Sequence, residues 1–142
     1  MKKIVKSLSK FQLSLISNMK ANTRFQYYAL PRRCGKTNTI VNLLFDDALK
    51  QKNILVITRN SSSRDLLAKQ IDAIRQKLWG FKQVCQTSIS SMAFLEDVLR
   101  GRSYDTIIFD DCDFYNSDID LLLASMHCDK VIVIETPPFM EF

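Results

Sequence analysis

Apolar positions in this chain recur with two different periods, and the alternation between those periods predicts its architecture. Leu8, Phe11, Leu15, Ile16 and Met19 fall at helical spacing, which predicts an amphipathic helix over residues 5–21. Residues 25–30 are short and aromatic-rich and predict a strand. From Lys36 to Lys50 the helical period returns, with Ile40, Val41, Leu43, Leu44 and Ala48 facing inward. Residues 53–58, Asn-Ile-Leu-Val-Ile-Thr, form a continuous apolar run with polar ends, the pattern of a strand buried on both faces of a parallel sheet. Asn60 and Ser61 to Ser63 offer caps for a helix reaching Leu78. Residues 82–86 predict a further strand, and Ser90-Ser91 predict the cap of a short helix through Leu99. Residues 106–109 and 131–134 predict two more buried strands, with a helix over 118–126 between them.

Strands that alternate with helices in this way require βαβ crossovers. The expected fold class is therefore α/β: three αβα layers around a mostly parallel five-stranded sheet. At 142 residues the chain fits one domain. Residues 1–22 read as an amino-terminal helix, and residues 23–138 as the core that would bind a ligand. In such sheets ligands sit beyond the carboxyl ends of the strands, so the polar residues that directly follow strands are the first candidates for chemistry.

One such stretch is Gly35-Lys36-Thr37, between a predicted strand and a predicted helix. This is the setting of a phosphate loop, where backbone N–H groups and the positive end of a helix dipole converge on an anion. Gly35 allows close approach to phosphate, Lys36 can reach the β- and γ-phosphates, and Thr37 can place its hydroxyl on Mg²⁺. The pattern G-x-x-x-x-G-K-[ST] would put its first glycine at position 30, where this chain has Leu30. Pro31, Arg32, Arg33, Cys34, Gly35, Lys36 and Thr37, with Asn38 behind them, form the candidate nucleotide-binding set. A second stretch follows the strand at 106–109. Asp110 is the candidate magnesium ligand, and Asp111 the candidate base that orients or deprotonates an attacking water. ATP and Mg²⁺ are the cofactors these two stretches imply, and the fold class narrows to a P-loop NTPase of the RecA/ASCE-like kind.

Charge adds a partner to this picture. All of the 20 Lys and Arg residues except Lys130 lie within residues 1–102, whereas nine of the 15 acids lie in residues 103–142. A basic amino-terminal two thirds suits contact with a polyanion such as DNA. The four cysteines (Cys34, Cys85, Cys112 and Cys128) form no CxxC pair, and a single histidine makes a zinc site a poor expectation. Cys34, inside the loop, reads as a small filler residue. With no secretory pattern and no apolar run near membrane-spanning length, the expectation is a cytoplasmic protein with no membrane partner.

The run from Pro31 to Thr37 resembles the deviant phosphate loop of the large terminase subunits of tailed phages, the ATP-driven DNA-packaging motors. Phe109-Asp110-Asp111-Cys112-Asp113-Phe114 resembles the terminase acidic strand end. Residues 130–138, through Thr136-Pro137-Pro138, are similar to its coupling strand and turn. Phe11-Gln12 looks like the upstream glutamine element. The resemblance covers about residues 8–138. It implies that Gln12 contacts adenine, that Arg32 (with Arg33 as a second candidate) stabilises charge on the γ-phosphoryl group, and that Thr136 couples hydrolysis to movement. It also implies homo-oligomers or other phage proteins as partners and a host-cell cytoplasmic location. Asp111 stands where the family usually has Glu, which implies slow hydrolysis. Proline and phenylalanine at 138 and 139 replace the family's Asn-Gly. The chain ends at Phe142, so a short form lacking the nuclease domain is expected, and DNA cleavage is not carried over. Two alternatives stay open: a catalytically weak or inactive regulatory module that binds nucleotide, DNA or protein, and the first motor domain of a helicase-like protein.

Overall fold

The structure is a computed structural model and describes residues 10–30, 36–46, 49, 52–77, 86–112 and 118–135. Five strands, β1 (Phe25–Ala29), β2 (Asn53–Thr58), β3 (Gln86–Ser91), β4 (Tyr104–Asp110) and β5 (Cys128–Glu135), form one sheet in the order β1-β5-β4-β2-β3. Every pairing in it is parallel. Among the described residues α1 (Lys10–Met19) precedes β1, and α2 (Lys36–Leu44), α3 (Ser61–Lys77), α4 (Leu95–Leu99) and α5 (Asp118–Ser125) lie between successive strands. The expected three-layer α/β sheet is the one observed.

The three central strands explain why. In β2, β4 and β5 consecutive residues are buried on both sides, so alternate side chains feed two separate cores. Ile54, Val56, Ile108, Ile132 and Ile134 join Leu15, Ile16 and Met19 of α1, Ile40 and Leu44 of α2, and Leu67 and Ile71 of α3. Leu55, Ile57, Ile107, Phe109, Val131 and Val133 face the opposite way, toward Leu95 and Leu99 of α4 and Ala124 of α5. From β1 to β3 the chain travels across the sheet in one direction, and from β3 to β5 it returns. A constant crossover hand then demands helices on opposite faces for the two journeys, and the two cores divide in that way.

The described residues differ from the expected local structure in two places. The helix expected to reach Lys50 stops at Leu44, where Phe45 and Asp46 donate to the carbonyls of Asn42 and Leu43 in tighter, three-residue turns. Of the strand expected at 82–86 only Gln86 is among the described residues, and it lies in β3, which runs to Ser91. Ser90 and Ser91, expected as helix caps, are ladder residues opposite Ile57 and Thr58. Pairing along β2 outweighs the poor strand propensity of serine, at the cost of a buried Ser91 hydroxyl that has no hydrogen-bond partner. The first helix is described only from Lys10. By contrast, the Asn60 cap is formed as expected: its side-chain oxygen accepts from the Ser63 amide at 3.0 Å.

Ile108 is fully buried in the central strand, between Val56 of β2 and Ile132 of β5. Ile108→Ala is expected to cost about 2–5 kcal/mol, read from the midpoint of urea unfolding. A loss below about 1 kcal/mol would show that this layer is not packed as described.

Candidate functional site

Parallel strands bring all their carboxyl ends to one edge, and the chain's chemistry-bearing residues collect there. β1 ends at Ala29, and the Leu30 amide donates to the carbonyl of Glu135 at 2.8 Å, tying the exit of β1 to the end of β5. Leu30 itself is buried in the core under α1 to α3. The position where the usual phosphate-loop pattern carries glycine is thus a packing position in this chain. Pro31, Arg32, Arg33, Cys34 and Gly35 lie outside the described residues, as does Thr136. Lys36 is the first residue of α2, so the helix begins where the sequence reading needs a dipole end. Thr37 and Asn38 are half-buried in the first turn. Asn38 accepts from the Asn42 side chain through its carbonyl at 2.8 Å and its Oδ1 at 3.3 Å, a bond within the helix. Gln12 is buried on α1, the helix that packs on α2.

Asp110 is the last residue of β4, half-buried, with β5 lying between it and β1. Two strand spacings, about 10 Å, therefore separate the acidic strand from the strand that leads to α2. Asp111 follows with φ of 55°, the only left-handed non-glycine backbone among the described residues. Aspartate tolerates this region better than most side chains, at a cost on the order of 1 kcal/mol. The conformation is held from both sides. The Asp111 amide donates to the Ile134 carbonyl of β5 at 2.7 Å, and its own carbonyl accepts from Arg59 Nε at 3.1 Å. Arg59 Nη2 also lies 3.5 Å from Asp111 Oδ2.

Arg59 is the site residue that the sequence reading missed. The available signal was its place directly after a predicted buried strand; what was lacking was the knowledge that β2 and β4 are neighbours. Two further features escaped the sequence. Tyr27 on β1 donates its hydroxyl to Glu135 Oε1, and that bond, with some burial, raises the Tyr27 pKa. Cys112 donates its thiol to the Ile57 carbonyl at 3.2 Å, and burial beside Asp110 and Asp111 pushes its pKa far up. It is a core thiol that fixes the turn after Asp111.

The donor set suits Mg²⁺. Asp110 and Thr37 offer hard oxygens, and no group of three or more His, Cys, Asp or Glu capable of holding a metal occurs among the described residues. Magnesium fits such a sparse site, because it takes one or two protein oxygens and fills its remaining positions with water and phosphate.

The fold is an α/β domain built on a parallel five-stranded sheet. The thymidine kinase family profile matches residues 23–137, and the chain belongs to that family. No curated protein matches the sequence. Among solved structures, a mutant of the Thermus phage P74-26 large terminase ATPase domain shares the fold with a TM-score of 0.60 at 13% identity, over 92% of this chain and 66% of that one. The bacteriophage HK97 large terminase gives 0.61 at 14% identity, over 92% of this chain and 33% of that one. The likeness to terminases anticipated from the motifs is thus present in the fold, while the matching family profile is that of the kinases.

Two outcomes follow from this geometry. Because Asp111 occupies a left-handed backbone, Asp111→Gly is expected to be more stable than Asp111→Ala by about 1 kcal/mol, in paired thermal or urea melts; equal stabilities would contradict the backbone assignment. Cys112 is expected to resist N-ethylmaleimide at neutral pH in the folded chain and to react once it is unfolded, as peptide mass spectrometry would show. Rapid labelling of native protein at Cys112 would exclude the buried thiol.

Proposed function

We propose that the chain binds ATP with Mg²⁺ at the carboxyl edge of the sheet and hydrolyses it. The observation that carries this reading is Asp110-Asp111 at the end of a buried strand, on the same edge as a helix that begins at Lys36. In this reading Lys36 and the loop amides hold the β- and γ-phosphates, while Thr37 and Asp110 hold the metal. Mg²⁺, when bound, neutralises phosphate charge. Asp111 takes a proton from the attacking water as the new O–P bond forms, and ADP departs with the electrons of the broken bridging bond. Arg32 and Arg33 stabilise charge on the transferring group, Gln12 contacts adenine, and Thr136 couples turnover to movement. Arg59 and the other basic residues of the first two thirds support a DNA partner, with further copies or phage proteins as additional partners. No helix among the described residues is long and apolar enough to cross a membrane, which supports a cytoplasmic location.

A second reading draws on the family match. The same base can take its proton from a hydroxyl of thymidine, so that the γ-phosphoryl group passes to a nucleoside and not to water.

One set of assays separates the readings. Mg²⁺ with ATP is expected to raise the melting temperature, and Lys36→Ala to remove that shift; no shift at millimolar ATP refutes nucleotide binding. Phosphate release that Asp111→Ala abolishes supports hydrolysis, whereas thymidylate formed from ATP and thymidine transfers the assignment to the kinase reading. Nucleotide binding without either product leaves the regulatory module. A gel shift with duplex DNA that weakens steeply with salt is expected for the DNA partner, and no shift at low salt refutes it.

A further inference from the structure

We infer that Arg59 is a positioning residue for Asp111, reaching from the end of β2 to hold the neighbouring strand's acid in its working orientation. The inference rests on the reading of Asp111 as the base. It begins from register. Thr58 of β2 lies opposite Asp110 of β4, so the next residue along each chain, Arg59 and Asp111, emerge side by side. These two strands also send their following helices to opposite faces of the sheet: α3 packs in the core with α1 and α2, and α5 in the core with α4. Ligands of open α/β sheets bind beyond the carboxyl ends of the strands at such a reversal of winding, and Arg59 and Asp111 emerge there.

The contact has two points. Arg59 Nε donates to the Asp111 carbonyl at 3.1 Å, and Nη2 approaches Oδ2 at 3.5 Å. The first fixes the peptide after a left-handed residue, and the second fixes the direction of the carboxylate. A planar fork can hold both at once; an ammonium cannot match its geometry. Magnitudes decide what the contact is for. The two side chains are 51% and 35% exposed, so after solvent screening the ion pair contributes little to stability. A reacting group displaced by about 1 Å, however, can lose about 10²-fold in rate. The arrangement therefore bears on turnover far more than on folding.

The test compares Arg59→Ala, Arg59→Gln and Arg59→Lys with the unmodified full chain in steady-state ATP hydrolysis. The expected result is a kcat lower by about 10- to 100-fold in the Ala and Gln variants. KM for ATP, the ATP-induced melting shift and the melting temperature of the free protein should remain near their original values. Arg59→Lys should recover only part of the loss, and added guanidinium should partly restore Arg59→Ala. In an Asp111→Ala background, Arg59→Ala should cause no additional loss, since the two residues act as a unit. A kcat within twofold of the original in Arg59→Ala and Arg59→Gln, with Asp111→Ala inactive, overturns the positioning role and leaves the hydrolysis reading standing. A rise in KM with unchanged kcat overturns it as well, by making Arg59 a binding residue. No turnover in the unmodified chain, with ATP still bound, refutes the hydrolysis reading and this inference with it.

Discussion

The register between β2 and β4 is the constraint on which the rest of the arrangement depends. With Ile54 opposite Thr106 and Thr58 opposite Asp110, the first four of five consecutive pairs bury their side chains, and Asp110 in the fifth is half-buried. A slip of β4 by one residue would exchange its contributions to the two cores, sending Ile108 toward α4 and α5 and Ile107 and Phe109 toward α1 to α3. Both cores are packed, so the register is fixed by burial alone. The same register brings the first polar residues beyond each strand, Arg59 and Asp111, into contact. The apolar centre thus determines the geometry of the polar edge.

That edge spends some of the stability the centre supplies. Asp111 sits in a backbone region that costs an ordinary residue energy, and its neighbours on both sides hold it there: the Ile134 carbonyl from β5 and the Arg59 guanidinium from β2. Cys112 closes the turn by donating to the Ile57 carbonyl beneath. Strain maintained from three directions is characteristic of functional positions. Here it lies at the reversal of winding, where a parallel sheet opens toward a ligand.

The family match and the structural likenesses agree on an α/β fold and differ in the class of protein they name. A thymidine kinase profile spans most of the chain, whereas the sheet and its helices superpose on terminase ATPase domains at 13–14% identity. Likeness at that level establishes fold and leaves substrate to the site. Phosphoryl transfer asks the protein mainly for position and charge; in the two proposed readings the acid after β4 takes its proton from water or from a nucleoside hydroxyl.

The sequence by itself determined the layers. Continuous apolar runs at 53–58, 106–109 and 131–134 are too short for buried helices and are bounded by polar residues, so they read as strands covered on both faces. The acids after Phe109 and the helix from Lys36 were legible for the same reason, as polarity beginning where a buried strand ends. Weakly patterned stretches were misread: Gln86–Ser91 has one strongly apolar residue, Ile89, and becomes a strand through its ladder with β2. The role of Leu30 as a core residue, the left-handed turn at Asp111 and the grip of Arg59 could not be read in advance. Each depends on strand order, and strand order brings together residues 52 positions apart, such as Arg59 and Asp111. Local propensity and period carry no information at that range; only the packing of two cores against one sheet decides it.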